Sequence, residues 1–467
     1  MSQRPPSALR GWPVCADESL RRLAPQVWLG GSPLRLFRLT EPGDELLREL
    51  EAAGPGGLAV NGSAATRLID RLVTTGAANP LPVQGDTTPD PAEVTLVVPV
   101  RDRARSLDRL LERWRSASPG PPRAAVVVDD GSVESGEVAA VAGRHAATLL
   151  VNETPRGPAA ARNAGLRQVR TPLVAFVDSD VRADGDWLAP LLAQMADPRV
   201  ALVAPRVRSR PGPGALARYE FEHSPLDLGA EPSVVRPRAR VAYLPAATLV
   251  GRVSVLRDLG GFDESMRFGE DVDLVWRVVD AGHGARYEPA SQVFHAPRAD
   301  WLGWARQRFA YGSSAAPLHT RHPGSVAPVS CSGWSAAMWA LAGAGHPVAA
   351  LAVGAGSGAA LARKLEGVAP TDSAMLAVKG HAGAARGLSR AVVRPWWPVA
   401  LAASAVSRRA RRFVLASVAT TVASAEGTVA DRFTSLADDA VYGAGVWWGA
   451  ARERSFGALL PALPRWP

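Results

Sequence analysis

Cysteine is nearly absent: only Cys15 and Cys331 occur in 467 residues, far apart in sequence. A disulfide framework is therefore not expected, and a reducing cytosolic setting fits. Residues 1–30 lack a continuous apolar stretch after a basic start, so no secretory signal is expected. The apolar stretches of the tail, 334–344 and 348–362, are split by Gly345-His346-Pro347. Each is shorter than the roughly 20 residues that cross a bilayer. Joined by a kink they reach that length, but Ala and Gly add little hydrophobic gain. No internal repeat is found, which excludes a solenoid or propeller.

What is present is globular. Hydrophobic residues make up 47% and charged residues 21%, which excludes a disordered chain. The length suits two or three domains. The net charge of +9 is unevenly placed: from Arg321 onward there are 15 Lys and Arg against 7 Asp and Glu, so residues 1–320 are nearly neutral. A basic tail on a neutral body suits an anionic membrane surface, or is simply solvated. A nucleic-acid partner is not expected.

Three regions follow. Residues 1–85 form a small domain: strand-like stretches at 26–29 and 34–39, then helical spacing at 44–50 and 63–72. This suggests a winged-helix-like unit, and a Pro-, Thr-, Asp- and Gly-rich linker closes it at 80–91. Residues 92–320 alternate strand and helix. The runs 94–100, 124–128 and 173–177 are continuous and apolar, as in parallel strands buried on both faces, with helices expected near 107–114 and 159–169. Residues 321–467 are Ala- and Gly-rich and read as helical, with no Asp, Glu, Lys or Arg from 323 to 362.

In an open parallel sheet, ligands bind at the carboxyl ends of strands. Three such ends carry polar residues: Arg101-Asp102, Asp129-Asp130 and Asp178-Ser179-Asp180. One acid there can be a solvated turn residue; three clusters on neighbouring strands point to a site. A diphosphate is bound best through a divalent cation, and Mg²⁺ or Mn²⁺ takes oxygen ligands. Asp178 and Asp180 would offer one carboxylate toward the ribose and one to the metal.

Val98-Pro99-Val100-Arg101-Asp102, Val128-Asp129-Asp130-Gly131-Ser132, Gly157-Pro158-Ala159-Ala160-Ala161-Arg162-Asn163-Ala164-Gly165 and Asp178-Ser179-Asp180 resemble, in this order, glycosyltransferase family 2. The resemblance implies a GT-A nucleotide-sugar-binding fold, Rossmann-like and mostly parallel, over about 92–310. It implies that Pro99, Arg101, Asp102, Asp129 and Asp130 line the donor site, with Asp130 accepting from the base. Arg162 would face the base or diphosphate, Asp178 the ribose and sugar, and Asp180 the metal, with Asp178 beside it.

Glu270 and Asp271 fall in the first turn of a helix after Phe268-Gly269. Acids there complement the helix dipole. The family resemblance makes this pair the general base for an inverting displacement. Asp271 matches the usual position, and Glu270 is the alternative. His295, at the end of a strand, is by resemblance an extra metal ligand. Arg306-Gln307-Arg308-Phe309 loosely resembles the Gln-x-x-Arg-Trp segment of processive synthases, with Phe309 for the tryptophan and the glutamine out of register. Arg308 would then meet the diphosphate, and Phe309 or Trp304 stack on a sugar.

The N-terminal unit resembles PqqD-like peptide-recognition domains, on Phe37-Arg38-Leu39-Thr40-Glu41-Pro42-Gly43 and Ile69-Asp70-Arg71-Leu72-Val73-Thr74-Thr75-Gly76. Such domains add a peptide as a strand to a sheet edge. A plain packing module is the alternative. The three-part order resembles the glycosyltransferases of mycofactocin biosynthesis. That resemblance implies a nucleotide-sugar donor, UDP-glucose, and as acceptor a hydroxyl on a peptide-derived redox cofactor precursor. A polysaccharide or glycolipid synthase of the same family, or a non-catalytic nucleotide-sugar-binding scaffold, are the alternatives. Arg408-Arg409-Ala410-Arg411-Arg412 between apolar stretches 399–406 and 413–425 suits peripheral or weakly integral attachment at the cytoplasmic face of the membrane.

Overall fold

The computed structural model describes residues 11–83, 85, 87–115, 120 and 122–463. The first ten residues of the expected N-terminal domain, and Gln84 and Asp86 of the expected linker, lie outside the described residues. The described chain divides into two compact units. One holds the residues up to Arg21 and Trp28–Pro297; the other holds Arg22–Val27 and the chain from Arg298.

The N-terminal module consists of β1 (Pro13–Ala16), β2 (Arg21–Ala24), β3 (Val27–Gly30), β4 (Arg35–Arg38), α1 (Glu41–Ala52), β5 (Leu58–Ala59), α2 (Ser63–Thr75) and β6 (Ala78–Pro80). Helix α1 starts where Pro42 presets its first turn, with Glu41 and Asp44 at its positive end. Helix α2 stops at Gly76, which takes the left-handed conformation with φ 73°. Leu47, Leu50, Ile69 and Leu72 from the two helices close over Val14, Trp28 and Phe37. The buried Trp28 indole donates to Asp44 at 2.7 Å, so its polar edge is satisfied. Strands β1, β5 and β6, of four residues or fewer, form an antiparallel sheet in the order β5-β1-β6.

The next stretch is α/β. It runs β7 (Val94–Val100), α3 (Ala104–Arg115), β8 (Ala124–Asp130), α4 (Ser135–Arg144), β9 (Thr148–Asn152), α5 (Pro158–Gln168), β10 (Leu173–Val177) and β11 (Val181–Ala183). There follow α6 (Ala189–Met195), β12 (Val200–Ser209), α7 (Ala215–His223), β13 (Ser233–Val234), β14 (Thr248–Arg252), α8 (Val253–Asp258), α9 (Glu270–Asp280) and β15 (Gly284–His295). The strands form one nine-stranded sheet in the order β11-β15-β12-β14-β10-β7-β8-β9, with β13 against β15. Strands β10, β7, β8 and β9 pair in parallel, as the alternating pattern predicts. Strand β14 runs antiparallel between β10 and β12. This is the expected GT-A-like architecture, with helices on the sheet faces.

Packing sets the layer spacing. Leu107, Leu110, Leu111 and Trp114 of α3 are buried at the helical repeat against Val98, Val100 and Val127. Fully burying each such side chain is worth roughly 1.5–3 kcal/mol. Helix α5 lies closer than a Cβ would allow: one built on Gly165 would sit 2.3 Å from Val97 Cγ1. That close approach brings Arg162 and Asn163 down onto the strand ends.

The second unit is helical: α10 (Trp301–Ser313), α11 (Ala315–Arg321), α12 (Gly333–Gly343), α13 (Pro347–Lys364), α14 (Pro370–Val393), α15 (Trp397–Val406), α16 (Arg408–Ser424) and α17 (Val429–Glu453). The two apolar stretches of the tail are separate helices, α12 and α13, broken at Gly345 and Pro347. Among the described residues, no helix is long and apolar enough to cross a membrane. His381 of α14 joins three of these helices. Its Nδ1 lies 2.9 Å from Ser335 Oγ of α12, and its Nε2 2.7 Å from Ser357 Oγ of α13. Burial pulls the imidazole pKa down, which favours the neutral ring that such a bridge needs.

Helices α10 and α17 touch through glycines. A Cβ on Gly445 would lie 2.0 Å from the Phe309 carbonyl oxygen, and one on Gly449 2.3 Å from that of Ser313. Gly445→Ala should therefore lower the unfolding free energy by about 1–3 kcal/mol through overpacking, despite the better helix propensity of Ala. Gly383→Ala in α14 meets nothing within 4 Å and should be neutral or gain up to about 1 kcal/mol. Thermal denaturation of the two variants checks the close approach, and equal melting temperatures would contradict it.

Candidate active site

The site grows from the loops after β7, β8 and β10. Asp102 follows β7 with φ 56°, a left-handed conformation that Asp tolerates. Its backbone N–H donates to Ser132 Oγ at 2.9 Å, and its Oδ1 accepts from the Val133 N–H at 2.8 Å. The loops after β7 and β8 are thus sewn together. Asp129, fully buried, accepts from the Ser132 N–H at 3.0 Å and from Ser135 Oγ at 2.5 Å. Asp130 accepts from Asn152 Nδ2 at 2.9 Å and from the N–H groups of Arg156 and Gly157 at 2.9 and 2.8 Å. A carboxylate offers about four acceptor positions, so three of Asp130's are taken by the protein. Asp130 thereby holds the turn into α5. Pro99 is half-buried at the strand end and Arg101 is exposed.

Beyond β10, the Asp178 N–H donates to the Ala247 carbonyl at 2.9 Å. Asp180 lies beside Val181, and β11 pairs Val181 with His295 across the β11–β15 ladder. That register sets His295 Nε2 3.3 Å from Asp180 Oδ1. Arg103, in the loop after β7, pairs with the other oxygen of Asp180. Burial alone raises the Asp180 pKa, but His295 and Arg103 outweigh it and hold the carboxyl well below the usual carboxylate range.

The donor set fits a divalent cation. His295 Nδ1 lies 2.8 Å from the Ala296 carbonyl oxygen, an acceptor that calls for the proton on Nδ1. Nε2 and Asp180 Oδ1, 3.3 Å apart, then form an ion pair when Nε2 carries a proton, and offer one nitrogen and one oxygen ligand to a cation that displaces that proton. Among the described residues, no cluster of three or more His, Cys, Asp and Glu side chains forms a complete metal cage. Two protein ligands with room for phosphate oxygens is the pattern such cations prefer in nucleotide sites.

A second acid pair stands on α9. Gly269 caps it in the left-handed conformation with φ 79°, turning Glu270 and Asp271 inward. Arg162, 4% exposed, donates through one guanidinium nitrogen to Glu270 Oε1 at 2.9 Å and through another to Asp178 Oδ1 at 2.8 Å. Its charge also lies 5.4 Å from the centre of the Phe262 ring. Asn163 fixes that turn by donating to the Phe262 carbonyl at 2.8 Å and accepting from its N–H at 2.9 Å. Burial pulls the Arg162 pKa down, but Asp178, Glu270 and Asp271 reverse the effect and keep it charged. Burial raises Glu270, and neighbouring Asp271 raises it further. Asp271, partly buried, is also raised by burial, against the N–H groups of Ala246 and Val272 that donate to it at 3.1 and 2.9 Å.

Arg162 thus joins the strand-end acid Asp178 to the helix acid Glu270, two groups 92 residues apart in sequence. Glu270 is engaged by it, while Asp271 is held by backbone donors alone. Arg308 lies in the helical unit, 2% exposed, and donates to Asp438 of α17 at 2.9 Å. There, Trp304 is buried 5.6 Å beneath its guanidinium, and Phe309 lies 6.4 Å from Trp448. These three side chains are thus engaged within α10 and α17. Sequence reading did not single out Arg103, Asn163 or the Ala246 N–H. Arg103 directly follows Arg101-Asp102 and could have been marked as a third charge at that strand end; Asn163 directly follows Arg162 in the motif 157–165, and the Ala246 N–H has no side-chain signal.

The model of glycosyl transferase family 2 matches residues 95–244. A pre-mycofactocin glycosyltransferase of Mycobacterium tuberculosis is 39% identical over 475 residues, covering 97% of this chain and 98% of that protein. An uncharacterized glycosyltransferase of Mycobacterium bovis is 33% identical over 214 residues, covering 43% of this chain and 89% of its own. Among solved structures, a Pyrobaculum calidifontis mannosyltransferase in complex with GDP-Man and Mn²⁺ matches with a TM-score of 0.38 and 18% identity, covering 80% of this chain and 89% of the other.

Proposed function

We propose that this chain, which belongs to glycosyl transferase family 2 and within it to the pre-mycofactocin glycosyltransferases, moves glucose from UDP-glucose to a hydroxyl of a peptide-derived redox cofactor precursor, with inversion. The observation that carries the reading is the Arg162 bridge. It ties the donor-side Asp178 to the helix that bears Glu270 and Asp271. A donor-side acid and an acceptor-side acid pair in one charged cluster is what a direct displacement at an anomeric carbon requires.

Asp271 is the general base. It takes the proton from the acceptor hydroxyl as the new C1–O bond forms and the bond to the diphosphate breaks, and the electron pair leaves with UDP. Glu270 is held by Arg162 and serves to place that guanidinium. Asp178 faces the ribose and sugar, while Asp130, Asp129, Pro99, Arg101 and Asp102 shape the nucleoside pocket. Asp180 and His295, with Asp178 beside them, would hold Mn²⁺ or Mg²⁺, which when bound supplies positive charge to the departing diphosphate. Arg103 stands at the same position as a second cation.

The tail supports attachment to the cytoplasmic face of the membrane. Arg408, Arg409, Arg411 and Arg412 are all exposed at the start of α16, beside exposed Leu401, Val406 and Leu415. Basic residues flanking apolar side chains suit an anionic headgroup layer, at about 1 kcal/mol for each charge near the surface.

Wild-type protein with Mn²⁺ should release UDP from UDP-glucose in the presence of acceptor and form a β-glucoside, read from the anomeric proton coupling. Asp271→Asn should keep UDP binding and lose turnover by roughly 10²–10⁴-fold. The wild-type rate should fall as the pH drops through an acid limb above the ordinary carboxylate range, because Asp271 must be ionised and burial raises its pKa. An α-product, turnover from GDP-sugars alone, or normal turnover by Asp271→Asn would contradict the proposal. Separately, the protein should sediment with phosphatidylserine-containing vesicles and not with phosphatidylcholine vesicles. Replacing the four arginines by Ser should abolish the difference; equal sedimentation with both vesicle types would remove the membrane part.

A further inference from the structure

Between β13 and β14 the chain passes along the N-terminal module and then across the active site. At one end, the Arg240 N–H donates to Ser32 Oγ at 2.6 Å. The Arg240 guanidinium donates to Asp17 Oδ2 at 3.0 Å and to the Pro232 carbonyl at 2.9 Å. Arg236 donates to the Thr74 carbonyl at the end of α2. Asp17 is 6% exposed, so Arg240 matches a buried charge. At the other end, the Ala242 carbonyl accepts from Trp276 Nε1 of α9 at 2.7 Å. The Ala246 N–H donates to Asp271, and the Ala247 carbonyl accepts from the Asp178 N–H. Val241, Leu244 and Ala246 are buried, which takes up slack between the two anchored ends.

We propose that Arg240 is a positioning residue, through which the N-terminal module sets the crosspiece 241–247 and so the backbone N–H that orients Asp271. The proposal rests on the reading of Asp271 as the base. It gives the module a part in the chemistry, since six residues lie between Arg240 and Ala247, the last contact with the site. When the Arg240 anchor is lost, the crosspiece loosens, the Ala246 N–H leaves the carboxylate, and Asp271 is both less well aimed and less readily ionised. The other charged groups around Asp271 are Glu270 on the same helix, Arg162 from α5 and, through Arg162, Asp178. None of them touches Arg240, so the effect runs through the backbone.

The test uses the full-length protein with Arg240→Ala, Asp17→Asn and the conservative Arg240→Lys. Amide hydrogen exchange should quicken across 241–247 in the first two variants. The turnover number should fall roughly three- to thirtyfold with the donor KM unchanged. The acid limb of the pH–rate profile should move to higher pH, and Arg240→Lys should recover part of each change. Combining Arg240→Ala with Asp17→Asn should cost no more than either alone, because both cut one link. Unchanged exchange across 241–247 overturns the proposal whatever the chemistry. Quickened exchange with an unmoved turnover number and acid limb also overturns it, since the module would then only stabilise the fold. Normal turnover by Asp271→Asn is a different failure: it removes the base assignment, while the exchange measurement still reports whether Arg240 holds the crosspiece.

Discussion

A guanidinium taken out of water is costly unless its charge is matched, and Arg162 is almost wholly buried between Asp178 and Glu270. The arrangement holds only if three elements arrive together. Strand β10 must deliver Asp178, helix α5 must lie close enough to β7 to bring Arg162 inward, and Gly269 must turn the start of α9 toward the sheet. Gly165 permits the second of these and Gly269 the third. The same ion cluster defines the chemistry. One acid of the α9 pair is bound to the arginine, and the other, Asp271, accepts from the backbone N–H groups of Ala246 and Val272. Beside this cluster, Asp180 and His295 are paired at 3.3 Å across the β11–β15 ladder.

The backbone completes what the charges begin. Asp271 is aimed by the Ala246 N–H, and Asp178 by the Ala247 carbonyl, so one short segment touches both halves of the site. That segment is fastened to the N-terminal module by Arg236 and Arg240. The module is therefore tied to the segment that touches the site.

Much of the α/β architecture was legible because burial on both faces leaves a continuous apolar run. The stretches 94–100, 124–128 and 173–177 are strands β7, β8 and β10, and their carboxyl ends carry the acids. Strand β14 was not read. It pairs antiparallel with β10, and Thr248–Arg252 includes a glycine and ends in an arginine. In the N-terminal module the stretches read at 26–29 and 34–39 are strands β3 and β4, whereas β1, β2, β5 and β6, of four residues or fewer, were not read. At the site, residue types at strand ends pointed to a diphosphate and a metal. Partnership did not follow from sequence: Arg162 joins two acids, and Arg308 is matched by Asp438, 130 residues away. Such pairings depend on which helices meet, and no local pattern encodes that.

The bridge itself can be measured through its dependence on pH. In Arg162→Met, Glu270 loses its cation, so its folded-state pKa, already raised by burial, rises further, and ionising it opposes folding more strongly than in the wild type. Denaturant unfolding of wild type and variant between pH 5 and pH 8 should give a stability gap of about 3–5 kcal/mol near neutrality. The gap should shrink toward pH 5, as Glu270 takes up its proton. A gap that stays constant across that range, or none at all, would mean that Arg162 does not hold the two halves of the site together.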